Sequence, residues 1–431
     1  MKRFLISLFL ITLVISLTLC TVGCSENENG ADSSKTLTLN VYNWGEYISD
    51  GAFGSLDTNK AFEEYYFNKY GVNVTVNYST YATNEDMYSK LKNSAVSYDI
   101  VIPSDYMIQK MIEEDMLLSF NVAEEIANFE HIDELFKNPY YDPTGSYSVP
   151  YTYGMLGVIY NTNLVDEEDV AEESWALLWN EKYSGKILQF NNPRDAFASA
   201  MYFKGIDVNS TNTSDWDMAL EILKKQKPLV QGYVNDEIFN KMTTASAAIA
   251  PYFVGDYITM AEQEEALAFY YPKEGVNYFV DAMCIPKTSK QPELAKEYIS
   301  FMLSEDAAVA NAEYIGYASP NNQVRNNEDY IDYMGEEVIE LLYGTTPAQI
   351  NASYNEKFGT ACYKSFSPEI QNHVNTLWES LKTENSTELW VHIVAIGIVI
   401  AVLAIAIYST YVKKKRSKHY RLRDKQKKRA H

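Results

Sequence analysis

The first apolar segment of this chain runs from Phe4 to Leu19, directly behind Met1-Lys2-Arg3. A basic start followed by an apolar run of this length has the form of a secretory signal. Beyond it the pattern changes period. Thr36-Leu37-Thr38-Leu39-Asn40-Val41 alternates polar and apolar residues, which predicts a strand. Ala61 to Tyr70 sets Phe, Tyr and Glu at helical spacing, and Gly71 supplies the stop. Residues 72–78 alternate again, and 84–92 predict a short helix behind a Thr83/Asn84 cap. Tyr98-Asp99-Ile100-Val101-Ile102 predicts a short buried strand ending at Pro103. Alternating strands and helices build a mostly parallel sheet covered by helices, the α/β class. Such sheets bind ligands beyond the carboxyl ends of their strands, where Trp44 and Ser104 fall. Residues 148–160 are extended and apolar and open a second α/β region running to about 280. Val280 to Ile285 is strand-like, and Pro292 to Leu303 predicts a helix. Trp175 and Trp179, four apart, fit a helix packed into a core. The acidic, Tyr-rich stretch 325–345 suggests no site.

A second long apolar segment runs from Leu389 to Val412 with no formally charged side chain. A helix of that length can cross a bilayer core of about 30 Å. Trp390, Tyr408 and Tyr411 suit the interfaces, and Lys413-Lys414-Lys415-Arg416 places the C-terminal residues in the cytoplasm. The expectation is therefore a transmembrane helix at 389–412 and a basic cytoplasmic tail at 413–431, resting on anionic lipid. At the other end, Thr21-Val22-Gly23-Cys24 resembles a lipoprotein cleavage site, although Thr21 stands where Leu is usual. Residues 1–24 are then a lipoprotein signal peptide with Cys24 lipidated, and polar residues 25–36 a flexible tether.

Charge sharpens this picture. The formal net charge is −22 over 431 residues, but residues 413–431 carry eleven Lys/Arg, so 25–412 hold 23 basic against 57 acidic side chains. So acidic a body is a poor nucleic-acid binder and favours a cationic ligand. The body has two cysteines, Cys284 and Cys362, whose proximity the sequence does not reveal. No Cys/His spacing suits zinc. Gly-x-Ser-x-Gly, phosphate-loop and Cys–His patterns are missing, so nothing points to an enzyme or a cofactor.

The chain is rich in tyrosine, 35 in all, and several aromatics sit beside acids at predicted loops. These are Trp44-Gly45-Glu46-Tyr47, Tyr252-Phe253-Val254-Gly255-Asp256-Tyr257 and Tyr278-Phe279-Val280-Asp281. Ring faces attract ammonium groups and carboxylates bond to them, so an aromatic box flanked by acids suits a polyamine. A Tyr-rich core with a solvated acidic face would use the same letters.

The order of the motifs adds to this. Asn43-Trp44-Gly45-Glu46-Tyr47, Tyr98 to Tyr106, Ser174-Trp175 to Lys186, Tyr271 to Gly275 with Asp281, and Ile315-Gly316-Tyr317 to Asn321 follow one another. The series resembles the spermidine/putrescine-binding proteins of bacterial ABC importers, over about residues 37–325. The resemblance implies a two-lobed type II periplasmic-binding-protein fold with the ligand in an interlobe cleft. The lobes would be 37–150 with 281–327 and 151–280 with 328–382. It implies aromatic walls at Trp44, Tyr47, Phe253, Phe279 and Tyr317, acids at Glu46, Asp195, Asp256 and Asp281, and contacts from the second loop at Ser104 and Tyr106. Asn192, Phe253 and Phe279 depart from the family's Asp, Trp and Trp, leaving one charge fewer and weaker cation–π walls. Asp105 and Arg194 are assigned a surface or interlobe pair. The partners implied are a polyamine and the importer's permease, with the body outside the cytoplasm and no metal or nucleic acid. The alternatives are a membrane-anchored amine sensor acting through a partner, or a binding protein for another small ligand.

Overall fold

The computed structural model describes residues 36–93, 96–383, 397–404 and 408–410. Its frame is one sheet path shared by two lobes. The strands in chain order are β1 (Leu37–Trp44), β2 (Val74–Tyr81), β3 (Ile100–Val101), β4 (Ser148–Asn161), β5 (Ile187–Phe190), β6 (Val230–Val234), β7 (Ile249–Phe253), β8 (Leu267–Tyr270) and β9 (Tyr278–Cys284). They are ordered β2-β1-β3-β9-β4-β7-β5-β6, with β8 also on β4. β1 runs parallel to β2 and β3, as strand–helix–strand crossovers require. The first of those helices, Thr58–Tyr70, starts at the Asp57 cap and stops at Gly71, whose φ of 68° suits a residue without a side chain.

The alternating residues of β1 put Leu39 and Val41 into a core with Phe62, Ile100, Met107, Val149, Met283 and Tyr298. A separate core holds Val158, Trp175, Phe197, Trp216, Ile249, Met260 and Trp378. β4 belongs to both. Its first half pairs with β9, and its second half with β7 and β8. The chain returns between the lobes in the segment from β8 to β9. Long strands that pass through both lobes are stiff in themselves and can flex only near the crossing, which is where a hinge is placed.

Trp175 lies in a single 3-10 turn, fully buried, with its indole N–H on the carbonyl of Gly275 at 2.8 Å. The stretch 325–345 is short helices whose Tyr330 packs against Ala308, Ala312 and Val324. Cys284 and Cys362 are both free thiols.

The transmembrane helix expected at 389–412 is corrected. Among the described residues no helix is long and apolar enough to cross a membrane. Within that segment the described helical residues are 397–404 and 408–410. The signal peptide 1–24, Cys24, most of the tether and the tail 413–431 lie outside the described residues.

Candidate functional site

The lobes leave between them a cleft of roughly 850 Å³, counted to its open mouth. Its residues come from strand ends and helix starts. Trp44 closes β1, and its indole N–H donates to the Ile102 carbonyl at 2.9 Å, which fixes the ring beside Tyr81. Ser104 and Tyr106 open the helix Asp105–Glu113. Asn84 orients both, giving its amide to Ser104 Oγ and to the Tyr106 hydroxyl at 3.1 Å each. Asp281 stands in β9 opposite Thr152 of β4, beside a register shift at Tyr151. Such a bulge re-aims side chains at a functional edge.

Asp281 is the centre of this arrangement. Tyr47 donates its hydroxyl to Oδ2 at 2.7 Å, so Thr152 must donate to Tyr47 in turn, at 2.5 Å. Oδ1 is buried and has no partner. Burial pushes the carboxyl up to about 6, while the Ser104 and Tyr47 hydroxyls hold it down. Phe279, two residues earlier on the same face of β9, meets Phe253 edge-on at 5.4 Å and Tyr317 at 6.0 Å.

A second carboxylate, Asp256, starts the helix Val254–Ala261. It accepts the Tyr317 hydroxyl at 2.5 Å, a bond that runs from one lobe to the other. Burial, opposed by that hydroxyl and reinforced by Asp236, pushes it up to about 7. The approach is possible because residue 255 is glycine. A Cβ there would lie 2.1 Å from the Tyr317 ring. Gly45 approaches Asp236 in the same way, with a Cβ position 2.6 Å from Oδ2.

The third carboxylate, Asp195, lies in the first turn of the helix Pro193–Lys204. Asn192 caps that helix, accepting from the Asp195 amide at 2.8 Å and donating to its Oδ2 at 2.9 Å. Tyr363 donates to Oδ1 at 2.9 Å. Burial raises this carboxyl too, and Asn192, Tyr363 and Arg194 oppose the rise.

Of the eleven ligand residues expected from sequence, the structure brings Trp44, Tyr47, Ser104, Tyr106, Asp195, Phe253, Asp256, Phe279, Asp281 and Tyr317 to this one cleft. Glu46 lies apart. Its backbone takes a left-handed φ of 50°, and its side chain lines an outer groove next to Asp236 and Asp256. The expected Asp105–Arg194 pair is not formed. Asp105 Oδ1 accepts from the Tyr106 amide at 2.7 Å, and Arg194 donates to Asn209 and to the Lys364 carbonyl at 3.0 and 3.2 Å. Both are buried, where helix starts and rings set their partners. Sequence reasoning gave no role to Asn84, Glu85, Asp236 or Tyr363. Asn84 was legible as a cap; Tyr363 sits in an irregular stretch with no period to mark it.

Comparison with known proteins agrees with this geometry. The family model for bacterial extracellular solute-binding proteins matches residues 60–335. The Salmonella typhimurium spermidine/putrescine-binding periplasmic protein is 32% identical, over 69% of this chain and 81% of its own. Spermidine/putrescine-binding periplasmic protein 1 of Haemophilus influenzae is 29% identical over 81% and 94%. A Streptococcus pneumoniae spermidine/putrescine ABC transporter substrate-binding protein superposes with a TM-score of 0.62 at 30% identity, over 80% of this chain and 98% of that one. The resemblance drawn from the ordered motifs is thus met over both lobes, and the chain belongs to the bacterial extracellular solute-binding protein family.

Proposed function

We propose that the cleft binds a polyamine, putrescine or spermidine, outside the cytoplasm, and that the closed form passes it to the permease of an ABC importer. The observation that carries this reading is Asp281. Its Oδ1 is buried and unpartnered in a cleft lined by Trp44, Phe253, Phe279 and Tyr317. A buried carboxylate with a free oxygen is costly, and an ammonium group supplies the missing partner. Methylene spacers then lie on the rings, each cation–π contact adding about 0.5–2 kcal/mol. Asp195 and Asp256 are the further anchors, and Ser104 and Tyr106 the polar wall. We further propose that Cys24 is lipidated, that 25–36 is a tether, and that the lobes are 37–150 with 281–327 and 151–280 with 328–382.

The test is calorimetric titration of the full-length protein with putrescine, spermidine and a neutral diol of equal length. Micromolar or tighter binding of an amine is expected, absent for the diol. Asp281→Ala is expected to weaken it by at least a hundredfold, because a charge-assisted contact worth about 1.5–3 kcal/mol and its orienting hydroxyl are lost together. A folded wild-type protein that ignores both amines would refute the assignment and leave the fold untouched.

A further inference from the structure

The wall of the cleft around Asp195 is built by a segment that no sequence motif marks. After Gly359 the chain runs without regular structure along the edge of the second-lobe core before entering the helix Pro368–Thr383, and Tyr363 lies in this strap. It is 2% exposed, yet it lines the cleft. Its backbone is held from both sides. The amide donates to Asn277 Oδ1 at 3.3 Å, and the carbonyl accepts the Tyr140 hydroxyl at 2.6 Å. Two residues on, the Ser365 amide donates to Gln109 of the first lobe at 3.2 Å. The backbone that carries the ring is therefore fixed, and the phenol is tied in turn to Asp195.

Two groups meet this ring. The Asp195 carboxylate accepts the phenol on Oδ1 and Asn192 on Oδ2, which leaves one acceptor direction open on each oxygen. The Arg194 guanidinium lies 4.4 Å from the Tyr363 ring and 3.7 Å from that of Phe366. Nη2 donates to Asn209 and the Lys364 carbonyl, while Nε and Nη1 have no hydrogen-bond partner, so much of the guanidinium is a desolvated positive charge packed among rings. A cationic ligand that reaches Asp195 meets aromatic bulk and like charge behind it.

We propose that Tyr363 is the positioning residue that fixes where an amine ligand ends. It holds the Asp195 carboxylate for one terminal ammonium, and its ring, with Arg194 against it, closes the cleft beyond. The span from Asp195 to the free Oδ1 of Asp281 then sets the length of amine the cleft accepts. This rests on the amine-binding reading above.

The experiment titrates the full-length protein with a homologous series of α,ω-diamines from propane to heptane. Wild type is expected to show a sharp optimum. Tyr363→Phe keeps the wall and loses the phenol bond, so affinity falls roughly tenfold with the optimum unmoved. Tyr363→Ala opens the wall, so the optimum moves to longer diamines; Tyr363→Leu serves if the alanine variant does not fold. An equal loss for every length in the Ala or Leu variant, with the optimum in place, overturns the role of Tyr363 alone. Unchanged affinity in Tyr363→Phe does the same. A wild type that binds no diamine overturns the amine reading as well.

Discussion

At the scale of single residues, the site is a set of carboxyls held out of water. Asp281 is pushed up to about 6 and Asp256 to about 7, in both cases chiefly by burial. An ammonium ligand needs them ionised. Amine affinity should therefore fall as the pH drops from 8 through 7 and 6, and binding near neutrality should release protons. The unliganded protein moves the other way. A carboxyl raised in the folded state binds its proton more tightly there than in the unfolded chain, so its contribution to stability grows as pH falls from the folded value toward the ordinary carboxylate range. Calorimetry at several pH values in buffers of different ionisation enthalpy checks the first effect, and urea unfolding the second. Affinity that is flat between pH 8 and 5.5 would count against these carboxyls as anchors. Asp281 was legible in the sequence because its motif has a fixed place in the family's order. Its partners Tyr47 and Thr152 lie 234 and 129 positions away, and no local pattern joins them.

At the scale of elements, one residue shows how a cap becomes part of a site. The side chain of Asn192 both starts the helix Pro193–Lys204 and braces Asp195. Asn192→Ala is expected to cost about 1 kcal/mol of stability, the usual worth of such a cap. It should also lower amine affinity severalfold by releasing the Asp195 carboxylate. Asn192→Asp should restore the stability and not the brace, since a carboxylate cannot donate to its neighbour. Urea unfolding and titration of the two variants separate the cap from the brace. The strands and helices of the first lobe were readable because period is a local property of the letters. β1 and the helix Thr58–Tyr70 fall where alternation and helical spacing put them. The spanning helix expected at 389–412 is the exception: hydropathy reports composition, and among the described residues no helix is long and apolar enough to cross a membrane.

At the scale of the whole molecule, the function proposed above depends on two lobes approaching each other. Tyr317, packed in the core of the first lobe, donates to Asp256 of the second, and Gly255 makes room for the contact. Gly255→Ala puts a methyl where the Tyr317 ring lies, so closure is expected to fail while each lobe keeps its own core. Amine affinity should drop by tenfold or more, with little change in the melting temperature of the free protein. Small-angle scattering should show wild type shrinking when putrescine is added and Gly255→Ala not doing so. Ligand bound at about 100 times its dissociation constant should also raise wild-type stability by about 2.7 kcal/mol, and the variant's by much less at the same concentration. A variant that closes and binds as wild type does would remove Gly255 from the mechanism.

The sequence alone determined the α/β class, the course of the first-lobe elements, the acidic character of the body and, through ordered motifs, the family. Each of these is written in neighbouring residues or in their order along the chain. Only the tertiary structure decided that Glu46 faces an outer groove, that Asp105 and Arg194 stay apart, and that Tyr363 braces Asp195. These are contacts between residues far apart in sequence, fixed by how two cores and one shared strand pair dock. No local period records that geometry.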